Sequence, residues 1–148
     1  GARRVGDLMV PRDRIEAVNV ACGNDELLRM AAESPYTRIP VYEESLDRVL
    51  GIVHAKDLAR HIMQRSAPLD LRTLLRPVLT AHPDDAASEL LSEMRNEHGQ
   101  TAIVVDVDGR TVGFITADDI LEDLLGEIAD EFKDAEAEAE VVAAGETR

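Results

Sequence analysis

Cysteine is almost missing from this sequence. Cys22 stands alone among 148 residues, which excludes an intramolecular disulfide. The histidines at 54, 61, 82 and 98 fall at neither metal-ligand nor triad spacing, and no nucleophile motif accompanies them, so a zinc framework and a catalytic role both lack their residues. No uncharged run reaches the roughly 18 residues of a membrane span, and the N-terminal segment 1–7 has no apolar core of the signal-peptide kind. A soluble segment in a reducing, cytosolic setting is expected. The chain begins with Gly instead of Met, which fits a piece of a longer protein.

Basic charge is scarce too. Sixteen Lys and Arg face thirty Asp and Glu, a net charge of −14, and the excess is local: residues 118–148 hold twelve acids and two bases. Without a basic stripe the chain cannot neutralise a phosphate backbone, which removes sequence-independent nucleic-acid binding. What is present is 45% hydrophobic residues, enough for a packed core of one ordinary domain or two very small ones.

Those residues repeat. Val49 to Leu58 (VLGIVHAKDL) matches Thr111 to Ile120 (TVGFITADDI) with Gly, Ala and Asp in register at an offset of 62. Within the second copy, Ala87, Leu90, Leu91 and Met94 have the spacing of an amphipathic helix. Ala102 to Val105 reads as a buried strand, Asp108-Gly109 as a two-residue turn and Thr111 to Ile115 as the returning strand. Helical spacing resumes with Ile120, Leu121, Leu124, Leu125, Ile128 and Phe132, and Val78 to Thr80 suggests a short first strand. Each copy is therefore expected to be β-α-β-β-α and too small to bury its sheet alone. Ser66, Ala67 and Pro68 mark a linker. Beyond Phe132 the Ala/Glu alternation of 134–140 has helical propensity but no apolar stripe, and a solvated or frayed acidic extension is expected. The apolar surplus on the last helix predicts a homodimer.

The strings DLMVPR (7–12), TRIPVYE (37–43), GIVHAKD (51–57), TADDILED (116–123) and GEIADE (126–131) resemble a tandem pair of cystathionine-β-synthase (CBS) domains, a Bateman module. They are most similar to the pair in the CorC/CNNM group of magnesium and cobalt transport proteins, also described as hemolysin-like. The resemblance implies an α+β fold of two β-α-β-β-α repeats packed sheet to sheet with pseudo-two-fold symmetry. Its parts would be repeat one over 5–65, a linker over 66–71, repeat two over 72–133 and the acidic extension over 134–148. It further implies a cytosolic regulatory module set between a membrane domain and a C-terminal domain, a homodimer, and a cleft for adenine nucleotide, ATP or AMP, in this family commonly ATP with Mg²⁺.

By that resemblance the cleft comprises Val10, Tyr36, Thr37, Arg38, Ile39, Pro40, Thr116, Asp118 and Asp119. The chemistry of the second repeat agrees. Thr116 ends a strand and starts a helix, where a hydroxyl and helix N–H groups can hold a phosphate, and Asp119 on the same first turn can accept from both ribose hydroxyls. T-x-x-D is equally a capping pattern that serves the helix alone. Arg38 suits the phosphates or an ordinary ion pair, and Tyr36 suits the base or a core cover. Val10 replaces a small hydroxylated residue common in the family, which removes one polar contact. The pseudo-symmetric cleft would use His54, Asp57, Leu79, Thr80 and Thr101, and with His54 in place of the hydroxyl it is expected to be empty or weak. Arg3, Arg4, Arg12 and Arg14 suit either a membrane surface or a solvated segment. The alternative function is a ligand-free dimerisation scaffold, which Val10 and His54 favour.

Overall fold

The computed structural model describes residues 3–64 and 68–146. Ser66 and Ala67 of the expected linker lie outside them. A short helix α1 (Val5–Leu8) and strand β1 (Val10–Pro11) lead into the first repeat: β2 (Val18–Asn19), α2 (Asn24–Glu33), β3 (Arg38–Glu43), β4 (Ser45–His54) and α3 (Ala55–Gln64). After a 3₁₀ turn at Leu71–Leu74, the second repeat runs β5 (Leu79–Ala81), α4 (Ala87–Asn96), β6 (Thr101–Val105), β7 (Thr111–Thr116) and α5 (Ala117–Glu146). The expected β-α-β-β-α order holds in both copies. In the second hairpin the connection is longer than two residues: Gly109 N–H donates to the Asp106 carbonyl at 3.0 Å, and Gly109 takes a φ of 80° that suits glycine. The Asp106 carboxylate accepts from the Asp108 and Arg110 N–H groups at 2.9 Å, and this side-chain bonding fixes the wider loop.

Each repeat's hairpin pairs antiparallel, and its first strand joins in parallel, giving the orders β2-β3-β4 and β1-β7-β6-β5. Of the helical positions named from spacing, Ala87, Leu90 and Met94 are buried under the second sheet, and Leu91 is half-buried against the same core. Ile52 of one sheet meets Ile103 and Phe114 of the other, so the sheets pack face to face through a small apolar layer.

The segments leading into the repeats are exchanged. Strand β1 precedes repeat one yet pairs with β7 of repeat two, Val10 opposite Phe114 and Pro11 opposite Gly113. Val5 is fully buried in the second repeat's core, and its N–H donates to the Asp85 carbonyl at 2.9 Å. The reciprocal arrangement follows α3: Leu71 enters the core of repeat one, and Arg76 bridges Ile52 of β4 through two backbone hydrogen bonds of 2.7 and 2.9 Å. This close crossing explains the paired glycines. A Cβ on Gly51 would sit 2.7 Å from the Arg76 carbonyl oxygen, and one on Gly113 would sit 2.9 Å from that of Val10.

Helix α5 does not end at Phe132 but continues through the acidic extension to Glu146. Ile120 belongs to its own repeat's core at 4% exposure, whereas Leu121, Leu124, Leu125 and Ile128 are exposed. Among the described residues no helix is long and apolar enough to cross a membrane.

Candidate functional site

Strand β7 ends at Thr116, and α5 starts at the next residue, so Thr116 is the helix N-cap. Its N–H donates to Asp119 Oδ2 at 3.0 Å, and the Asp119 N–H donates to Thr116 Oγ1 at 3.2 Å. This is a reciprocal capping box. The Ala117 N–H is likewise engaged, by the Gln100 carbonyl at 2.9 Å, so the first turn is less open to an anion than the sequence suggests.

Thr116 and Asp119 face a cavity of about 60 Å³ whose opposite wall comes from repeat one. Because β1 lies on β7, Val10 stands at one end of it; Tyr36, Arg38 and Pro40 come from the start of β3 and the residues before it. Of the other expected residues, Ile39 points the opposite way along β3 into the core, at 1% exposure. The Thr37 carbonyl accepts from Ala55 N–H at 2.8 Å, and neither Thr37 nor Asp118 lines this cavity. Asp118 instead faces Arg38, its Oδ2 lying 3.7 Å from Nη1, and Gln100 accepts a second bond from the same guanidinium. The sequence reading missed Arg14, Ile15, Glu16 and Phe114, which complete the lining. The signal for Arg14 was its place two residues after the MVPR string, at the end of the 3₁₀ turn Arg12–Arg14.

The pseudo-symmetric cleft is wider, a cavity of about 500 Å³ lined by His54, Leu79 and Thr101 together with Arg38, Lys56 and Arg76. Neither Asp57 nor Thr80, both expected here, is among its lining residues, and the Asp57 carboxylate is already committed. Arg76 Nε and Nη2 donate to Asp57 Oδ2 and Oδ1 at 2.7 and 2.8 Å, a two-pronged charge-assisted pair that holds the Asp57 carboxyl below the usual carboxylate range. Arg76 holds here the place that Val10 holds in the first cleft, since each pairs with the equivalent residue of a β-hairpin, Ile52 or Phe114. His54 acts as a cap, its Nδ1 accepting from Lys56 N–H at 3.0 Å. Burial, then the positive charges of Arg38 and Arg76, push the imidazole below its ordinary pKa and favour this neutral, accepting form. Among the described residues no three or more His, Cys, Asp or Glu side chains are grouped to hold a metal ion.

Two exchanged β-α-β-β-α repeats with a helix-capped cleft between them define a class. The chain belongs to the CBS domain family, whose profile matches residues 5–64 and 70–126, and it is a tandem pair. The relatives narrow the class. It is 36% identical over 133 residues to the magnesium and cobalt efflux protein CorC of Vibrio cholerae, covering 90% of this chain but 46% of that one. The chain thus spans under half the length of such relatives. Among solved structures, it superposes on a CBS domain protein from Shewanella oneidensis with a TM-score of 0.77 at 31% identity, covering 83% of this chain and 98% of the other. It also superposes on the CBS domain of the bacterial CNNM/CorC family Mg²⁺ transporter in complex with ATP, with a TM-score of 0.73 at 32% identity over 84% and 88% of the two chains.

Proposed function

We propose that this chain is a cytosolic, non-catalytic regulatory module of a CorC/CNNM-type magnesium or cobalt transport protein, and that adenine nucleotide, ATP or AMP, binds at Thr116 and Asp119. The observation that carries this reading is the composite cavity, in which a helix-start hydroxyl and carboxylate from repeat two face two arginines and a tyrosine from repeat one. The residues fit the ligand's parts. Asp119 has the acceptor capacity for a ribose diol, Arg14 and Arg38 supply cations for phosphate, and Val10, Ile15, Pro40 and Phe114 give the base an apolar slot beside Tyr36. The relative solved in complex with ATP supports the same choice of ligand. Mg²⁺, if it accompanies the nucleotide, would arrive with the phosphates.

A cavity of about 60 Å³ is well below the ~300–1,000 Å³ of small-molecule sites, so binding requires opening between the repeats. That requirement is what makes the site a switch. A ligand that stabilises the open cleft shifts the angle between the sheets, and β1 carries the shift to the N-terminal segment and whatever precedes it. The exposed Leu121, Leu124 and Leu125 supply the surface for a homodimer, beside a groove between α4 and α5.

The closed cavity and the saturated capping box also suit the second reading, a scaffold without ligand. Calorimetric titration with AMP, ADP and ATP, with and without Mg²⁺, separates the two, because a scaffold gives no heat. In the nucleotide reading Asp119→Ala loses about 1.5–3 kcal/mol of binding, roughly ten- to a hundredfold, while Asp57→Ala leaves affinity nearly unchanged. Thermal stability must be followed in parallel, since losing the cap alone costs about 1 kcal/mol. Weakened binding matched by an equal loss of folding would assign Asp119 to the helix and not to a ligand.

A further inference from the structure

From Leu124 to Ala143 every residue of α5 is exposed, twenty in succession, or about 30 Å of helix. Isolated acidic helices are poorly stabilised. Like charges recur four residues apart in Glu127/Glu131, Asp130/Asp134, Asp134/Glu138 and Glu136/Glu140, each pair unfavourable, and acids near the C-terminal end oppose the helix dipole. Against this background one regularity stands out. Ile128, Phe132, Ala135, Ala139 and Val142 follow one another at spacings of 4, 3, 4 and 3, the seam of a coiled coil. Three are large, with Ile128 54%, Phe132 66% and Val142 59% exposed. The stripe expected to be absent beyond Phe132 is therefore present, its bulky members Phe132 and Val142 separated by the two small alanines.

The positions beside the seam choose the partner. Taking Ile128, Ala135 and Val142 as d and Phe132 and Ala139 as a, the charged e and g residues are Glu131, Glu136 and Glu138, with no base among them. A second copy laid along this stripe would set glutamates against glutamates, which disfavours self-pairing. We propose that the free length of α5 is a docking stripe for a basic amphipathic helix, with apolar residues at a and d and Lys or Arg at e and g. The two alanines permit close approach of the two backbones, and the three glutamates set the partner's charge.

A test uses this chain and two synthetic 21-residue helical peptides with Leu at a and d, one carrying Lys at every e and g position and the other Glu. The Lys peptide binds, measured by fluorescence anisotropy, and binds at least about tenfold more weakly at high salt. Phe132→Glu on the exposed face weakens it by a similar factor, while circular dichroism stays native. The triple variant Glu131→Lys, Glu136→Lys, Glu138→Lys reverses the preference to the Glu peptide. Equal binding of both peptides, or indifference to Phe132→Glu, overturns the proposal. So does self-association of the unaltered chain that Phe132→Glu alone abolishes, since the stripe would then belong to a second copy.

Discussion

His54 and Thr116 hold equivalent places at the ends of β4 and β7, and both cap the following helix, one with an imidazole nitrogen and the other with a hydroxyl. The imidazole cap works only while Nδ1 is unprotonated. Because the fold lowers the His54 pKa, the unfolded chain binds the proton more readily; the contribution to stability is complete above about pH 6.5 and is lost as the pH falls through the folded-state value. Thermal melts at about pH 7.5 and 5.5 should show this decline, and His54→Thr should flatten it by restoring a cap that does not titrate in this range. An unchanged slope in the variant would place the pH dependence elsewhere. At the same scale Arg76 decides the difference between the clefts: it gives Asp57 a partner, where Val10 leaves Asp119 with none of that kind.

Among elements, the crossing of each lead segment over a hairpin glycine makes a sharp contrast testable. Gly51→Ala drives a methyl against the backbone oxygen of Arg76, which no rotamer relieves, and should cost about 1–3 kcal/mol in urea unfolding. Gly126→Ala, in exposed α5 with nothing within 4 Å, should instead stabilise by about 0.5–1 kcal/mol. The hairpins, α4 and the helix after Thr116 were legible because apolar spacing and the 62-residue offset agree over them. The exchanged segments were not. Val5, Leu8 and Pro11 correspond to Leu71, Leu74 and Pro77 at a different offset, 66, because the first repeat is longer between its lead segment and its hairpin. Three matches in seven residues are faint beside the hairpin signal, and without them Arg76 could not be recognised as the counterpart of Val10. Likewise TRIPVYE marked the right strand of the cleft, but a strand sends alternate side chains to opposite faces, so Arg38 and Pro40 reach the cavity while Ile39 cannot.

For the whole molecule, the exposed leucines of α5 predict association. Leu124→Asp should shift sedimentation at tens of micromolar from dimer to monomer without lowering the melting temperature, since the side chain is 43% exposed in the single chain. A wild-type monomer under the same conditions would remove the dimer from the proposed mechanism. Phe132→Glu, lying further along α5, should leave this equilibrium untouched.

The exchanged strand has a mechanical meaning. Residues 4–11 are anchored to the far repeat's backbone and core, through Arg4 against Ala86, Val5 inside the second core and Val10 beside Phe114. Tension on the chain at its N-terminal end therefore bypasses the repeat that follows in sequence and loads the second sheet directly. One link of that path, Val10 to Phe114, lies two residues from the helix cap at Thr116. A pull strong enough to peel β1 would strip Val10 from the wall of the cleft proposed to hold nucleotide, so force applied at this end would be felt there.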